Sequence, residues 1–252
     1  MQAQFSILNI AFDHIYVLTL KRATERQAAF SKAFEGLHYS FFFGADKQDF
    51  DVNKLIETGI YDEQKAKHYH RYSKAMSAGQ IGCAWSHVLM YEDMLKNGYQ
   101  KVLILEDDTE PIAATFHHLN EILQELPTDW ELLFFDYFKN EKPDPINQAF
   151  YHFTRAIGLL KWSHKMIRNF YPKPISKHIS TAGFHHFTNA YALTASAAEK
   201  LIPLQKPIAF IADHLLPHAI TNQIIKGYIS IPKIFKQIST GDNKAIQSYV
   251  DE

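Results

Sequence analysis

The chain has a single cysteine, Cys83, among 252 residues. That excludes a disulfide framework and a cysteine-built zinc centre, and it fits a reducing compartment. An excess of charge of one sign is also missing, because 26 Lys and Arg face 27 Asp and Glu. A formal net charge of −1 gives no whole-molecule field to attract a polyanion, so nucleic acid is not an expected partner. No apolar run reaches the roughly 18 residues that a membrane span needs. The N-terminus lacks the basic start and small-residue cleavage site of a secretory signal. Internal repeats and low-complexity tracts are absent too. These absences lead to the expectation of a soluble, cytoplasmic protein.

Aromatic residues, by contrast, are plentiful: 19 Phe, 13 Tyr and 3 Trp, within an apolar fraction of 46%. Such a chain is not disordered, and its length suffices for one full core. The run Ile15-Tyr16-Val17-Leu18-Thr19-Leu20 reads as a strand buried on both faces. A basic turn with Lys21, Arg22 and Arg26 follows, then a helix marked by Phe30, Ala33, Phe34 and Leu37. Tyr39 to Phe43 is a second short strand. Residues 46–78 are polar with weak periodicity and read as a loop or insert outside the core. Ile81 to Leu95 is an amphipathic helix stopped by Gly98.

Val102 to Leu105 is the next buried strand, followed by a helix from Phe116 to Leu126 and a strand from Leu132 to Phe135. Farther on come a strand at Ala190–Thr194 and a helix at Ser196–Leu201. A helix capped by Asp213 is expected to end near Gly227, with Pro217 in its first turn, before a last strand at Tyr228–Ile231. Alternating apolar strands and amphipathic helices predict an α/β fold, a mostly parallel central sheet flanked by helices. We treat residues 1–252 as a single domain, with 13–136 as a nucleotide-sugar-binding half and 137–252 as an acceptor-side half.

Chemistry concentrates where the Val102 strand runs into Glu106-Asp107-Asp108. Ligands in open α/β sheets bind beyond the carboxyl ends of strands. On extended backbone, Glu106 and Asp108 point one way and Asp107 the other. Two convergent carboxylates suit Mg²⁺ or Mn²⁺ held together with a diphosphate. A second motif is Gly79-Gln80-Ile81-Gly82-Cys83-Ala84-Trp85-Ser86-His87. Its glycines allow close backbone approach, and free amides at a helix start favour an anion or a nucleotide. His87 there reads as a structural histidine.

Together these motifs resemble glycosyltransferase family 25, the bacterial lipooligosaccharide and lipopolysaccharide β-galactosyltransferases related to collagen galactosyltransferases. The opening Ile15 to Arg22 with Arg26, the block Gly79 to His87, the acidic Leu105-Glu106-Asp107-Asp108, Asp129 to Leu133 and Asn189 to Thr194 occur in that family's order. Gln80 stands where the family usually has Glu, so no charge-dependent role is carried over to it. The resemblance implies a GT-A-type nucleotide-sugar-binding fold. It also implies inverting transfer from a UDP-sugar, most often UDP-galactose, to a saccharide acceptor in lipopolysaccharide biosynthesis. Mn²⁺ or Mg²⁺ would sit on Glu106 and Asp108. Leu18, Arg22, Arg26, Gly79, Gln80, Gly82, Ser86 and Asp107 would face the donor. Asp213, in Phe210-Ile211-Ala212-Asp213-His214, is the expected general base, with Asp136 next in line.

Two other classes remain open on sequence: a metal-dependent sugar-nucleotide phosphohydrolase and a sugar-nucleotide binder without catalysis. The 14 histidines show no zincin-like spacing, which weighs against the hydrolase. One further absence is local. No Asp or Glu occurs between Asp144 and Glu199, while Arg155, Lys161, Lys165, Arg168, Lys173 and Lys177 do. Lys161, Lys165 and Arg168 fall on one helical face at i, i+4 and i+7. Residues 155–178 therefore read either as a peripheral element meeting the anionic inner membrane and a lipid-linked oligosaccharide acceptor, or as a basic lid.

Overall fold

The computed structural model describes residues 2–70 and 73–239. In chain order the elements are α1 (Gln2–Ala11), β1 (His14–Thr19), α2 (Thr24–Ala33), β2 (Ser40–Phe43), α3 (Val52–Glu57), α4 (Glu63–Tyr69), α5 (Ala78–Lys96), β3 (Lys101–Glu106), β4 (Thr109–Pro111) and α6 (Leu119–Glu125). The second half adds β5 (Leu132–Phe134), α7 (Pro145–Ala156), α8 (His164–Arg168), β6 (Lys173–Pro174), β7 (Ile179–Thr181), β8 (Ala190–Thr194), α9 (Ala195–Gln205), α10 (Ala212–Thr221), β9 (Gly227–Ser230) and β10 (Phe235–Gln237).

Eight strands form one sheet in the order β2-β1-β3-β8-β5-β9-β7-β6. Six run in the same direction, and only β8 and β7 oppose them. The expected α/β architecture is therefore present. Its central strands are continuous apolar runs because both faces are covered. Along β3, Val102 and Ile104 enter one core with Met90, Tyr91 and Met94 of α5 and Leu201 of α9. Leu103 and Leu105 enter the opposite core with Phe5 and Leu8 of α1, Phe30 and Phe34 of α2, and Ile122 of α6. Side-chain alternation thus sends each strand's residues into two helical layers.

Several expectations need correction. Residues 46–78 are not merely an insert: α3, α4 and the turn between them place Leu55, Ala66 and Tyr61 in a third cluster with Met76, Ile81, Ala84 and Ile208. Each helix is too short to repeat an apolar period, so the caps Asp51 and Asp62 were the legible signal. In α10, Ile211 is the N-cap and Asp213 lies inside the first turn; the helix ends at Thr221, where Gln223 adopts a φ of +57°. Pro217 falls in the helix interior, not the first turn, and its missing N–H leaves the Asp213 carbonyl without that partner. Lys161 does not share a helix with Lys165 and Arg168, because Gly158 ends α7 at a φ of +79° and Ser163 opens α8.

Two contacts tie the fold to the site. A Cβ on Gly82 of α5 would lie 2.5 Å from the Ala45 carbonyl oxygen, so this glycine lets the helix press on the loop after β2. Gly82→Ala should cost about 1–3 kcal/mol by forcing the two apart, measurable as a lower urea midpoint. The second contact is β10, which pairs antiparallel with β4 through Phe235 opposite Pro111 and Gln237 opposite Thr109. Phe235 is fully buried against Phe34, Phe116 and Phe135. Phe235→Ala should destabilise the protein by about 3–5 kcal/mol and loosen the segment carrying Gln237, read by urea denaturation.

Candidate active site

At the end of β3 the sheet opens. Glu106 N–H still donates to the Asn189 carbonyl at 2.8 Å, and Asp107 N–H to the Leu18 carbonyl at 3.0 Å. The chain then turns into β4, so strict strand alternation stops at Glu106, and each of the three carboxylates has its own partners. Asp107 accepts from the Thr19 hydroxyl at 2.6 Å and from Arg26 at 3.2 Å. Asp108 accepts through Oδ2 from Ser239 and, at 3.0 Å, from Gln237. Glu106 accepts from the Thr188 hydroxyl at 2.8 Å and lies 3.5 Å from His87 Nε2.

All three acids line a single cavity with Leu18, Thr19, Arg22, Arg26, Gly79, Cys83 and Ser86. Arg22 donates to the buried Asp46 at 2.7 Å, on the same wall. Ser86 accepts from Ala45 N–H at 2.9 Å and donates to the Gly82 carbonyl at 2.6 Å. Leu18, Arg22, Arg26, Gly79, Ser86 and Asp107 thus converge with Glu106 and Asp108. Gln80 and Gly82 are not on that wall. Gln80 instead completes a capping box: its side chain accepts from Ser77 N–H at 2.9 Å, while its own N–H donates to Ser77 Oγ at 3.2 Å.

Crowded negative charge dominates the site. Burial, and then the nearby Glu106, push the Asp108 carboxyl up to about 7. Burial raises Asp107 as well, opposed by Thr19 and Arg26. Asp108 Oδ1 is buried without a hydrogen-bond partner. An orphaned carboxylate oxygen beside a second carboxylate fits a hard divalent cation. Cys83, His87 and Glu106 also bring donor atoms within 4.8 Å of one another. A thiol is a soft donor, however, and Mg²⁺ or Mn²⁺ prefers oxygen ligands. The all-oxygen pair fits better.

Asp213 is not on the wall of this cavity; it lies beyond Glu106, in the first turn of α10. Thr188 joins them, 2.8 Å from Glu106 Oε1 and 3.4 Å from Asp213 Oδ1. Burial, then the Glu106 charge, raise the Asp213 carboxyl to about 6, with His87 opposing. Asp136 serves another purpose. Its oxygens accept from Tyr137 N–H at 2.9 Å, Asn189 at 3.0 Å and Gln237 N–H at 3.1 Å, which fixes the ends of three strands. His87 is held from behind by Tyr191, 2.8 Å from Nδ1, and Tyr191 by Tyr91 at 2.8 Å. Sequence reasoning named Asn189 only as the head of a strand motif and missed Thr188, Gln237 and Ser239. The polar pair Thr188-Asn189 before an apolar strand was a usable signal. Nothing in the sequence marked Ser239, which lies 131 residues from Asp108.

The chain is similar to a "Glycosyltransferase 25 family member" of Anopheles gambiae, 26% identical over 82% of this chain and 32% of that protein. A human protein named "Inactive glycosyltransferase 25 family member 3" matches at 21% over 82% of this chain and 32% of its own. "Procollagen galactosyltransferase 1" of Danio rerio matches at 19% over 88% and 33%. The chain therefore spans about a third of the length of these relatives. The solved structure of mouse xyloside xylosyltransferase 1 aligns with a TM-score of 0.36 at 12% identity, covering 90% of this chain and 71% of that one. That likeness adds nothing to the fold already described. The family model "Glycosyltransferase family 25 (LPS biosynthesis protein)" covers residues 12–216, from the start of β1 through the acidic turn and Asp213, and on that span the chain belongs to glycosyltransferase family 25.

Proposed function

We propose that this glycosyltransferase moves galactose from UDP-galactose to a saccharide acceptor with inversion, in lipopolysaccharide biosynthesis on the cytoplasmic side of a membrane. The observation that carries the reading is the carboxylate cluster at the end of β3, which shares a cavity wall with two arginines and is joined to Asp213 through Thr188. Arg22 and Arg26 are on the cavity wall and can add charge-assisted bonds to phosphate oxygens. Asp107, held by Thr19 and Arg26, keeps that arginine in place and presents its edge to the donor. Glu106 and Asp108 would hold Mn²⁺ or Mg²⁺, which when bound offsets the charge that develops on the leaving diphosphate.

Inversion in one displacement needs a base on the face opposite the leaving group. We assign that role to Asp213, the acid joined to Glu106 through Thr188, and it takes the proton of the acceptor hydroxyl at its carboxylate. Thr188 orients it. The test is UDP release from a panel of UDP-sugars with Mn²⁺, with and without saccharide acceptors. Release that requires acceptor supports transfer, equal release without acceptor makes the protein a hydrolase, and binding without release makes it a binder. Asp213→Asn should lower kcat by about 10²–10⁴-fold with little change in donor KM, because only the proton transfer is lost. Steady-state kinetics with the identified donor checks it.

A second prediction concerns stability. Asp108 has a folded-state value near 7 against an ordinary unfolded one near 4, so between these the folded chain binds more protons. Stability from this group then falls as pH rises through that window. In metal-free buffer at neutral pH, Asp108→Asn should be more stable than the parent by roughly 1–4 kcal/mol, or about 2–4 °C per kcal/mol in Tm. The advantage should shrink toward pH 5. Mn²⁺ should raise the parent's Tm and leave the variant's unchanged, both read by thermal unfolding.

A further inference from the structure

Helix α7 is amphipathic in the wrong sense for a core helix. Ile146, Phe150, Phe153 and Ile157 follow at spacings of four, three and four, which puts them on one stripe. The stripe faces solvent, with exposures of 83%, 57%, 60% and 54%, and Leu159 just beyond it is 75% exposed. The opposite side of the helix holds the protein. Gln148 donates to the Ile167 carbonyl at 2.7 Å, Arg155 to the Trp162 carbonyl at 2.9 Å, and the Tyr151 ring packs edge-on against Trp162 and Phe170. Asp144 caps the helix through Asn147 N–H at 3.0 Å, and Pro145 occupies its first turn. The apolar stripe is therefore preformed and held outward. Monomeric soluble proteins seldom expose such a contiguous patch without a partner.

Charge selects the partner. From residue 145 to residue 198 the chain has no acid, and Lys161, Lys165 and Arg168 are exposed in the loop and helix that follow α7. A second copy docking through the same face would bring this acid-free stretch against itself, which like-charge repulsion opposes. Lys and Arg close to a membrane-contacting segment are attracted to anionic headgroups, so an apolar stripe with cations directly after it favours an anionic lipid surface. No helix among the described residues is long and apolar enough to cross a membrane.

We propose that α7 docks the protein in-plane on an anionic lipid surface. Ile146, Phe150, Phe153 and Ile157 enter the boundary between headgroups and acyl chains, and Lys161, Lys165 and Arg168 meet the anionic headgroups. The inference is independent of the transferase reading, and its test uses neither donor nor acceptor. The experiment is co-sedimentation of the full chain with phosphatidylcholine vesicles and with an equimolar mixture of phosphatidylcholine and phosphatidylglycerol. Binding is expected only to the mixture and should weaken with salt. Phe150→Ser with Phe153→Ser should lower the partition coefficient at least about tenfold, and Lys165→Glu with Arg168→Glu should lower it comparably. Thermal unfolding of the serine variant should match the parent, since both side chains are already in solvent. Equal binding to both vesicle types, binding to neither, or binding unaffected by the serine changes would overturn the proposal. So would a parent that light scattering finds dimeric and the serine variant monomeric, because the stripe would then be a protein interface.

Discussion

Repulsion among buried carboxylates is the constraint around which this molecule is arranged. Glu106, Asp107 and Asp108 stand at one strand end, and Asp213 reaches Glu106 through a single threonine. Burial strips water from the carboxylates and so disfavours their charged form, and the neighbouring Glu106 charge adds to that; together these drive Asp108 and Asp213 upward. The surrounding structure answers acid by acid. Asp107 receives an arginine and a hydroxyl from the β1 side, while Asp108 receives Gln237 and Ser239 from a strand far along the chain. What remains uncompensated is the Asp108 Oδ1 edge beside Glu106. The cost is tolerated because the sheet beneath is packed on both faces, and its core does not depend on the cluster.

That division explains what could be read in advance. The core strands were legible because double burial turns a strand into an unbroken apolar run, as in Val102 to Leu105 and Ala190 to Thr194. Their orientation was not, since period and composition are the same for β8 running against its neighbours as they would be for a parallel strand. The acidic turn was legible because three acids directly after such a run have no packing role. Its partners were less so. Gln237 and Ser239 reach Asp108 only because β10 pairs with β4, a contact fixed by Phe235 and its aromatic neighbours rather than by local pattern.

The same comparison explains the two misread segments. Gln80 was placed at the donor because the motif around it suggested so, yet the chemistry of Ser77 and Gln80 is that of a helix start. The cations after residue 155 were placed on one helix because their spacing allowed it. A glycine at positive φ breaks that helix, and the outward apolar stripe belongs to the preceding α7. The stripe itself was visible in the sequence, but its direction was not. Period alone cannot say which face a helix buries, and here Tyr151 and Gln148 rather than the phenylalanines face the protein.

Placing α7 also gives the two surfaces a common geometry. From Asp136, two residues after β5, only residues 137–144 lead to the first turn of α7. Phe138 bridges back by backbone to His186, and its ring stacks on Phe187, next to Thr188. The segment leading to α7 is thus fastened beside the threonine that joins Glu106 and Asp213. An enzyme held by α7 on a lipid surface searches two dimensions for any acceptor anchored in the same surface, so their encounter gains from effective concentration without a new contact at the reacting atoms.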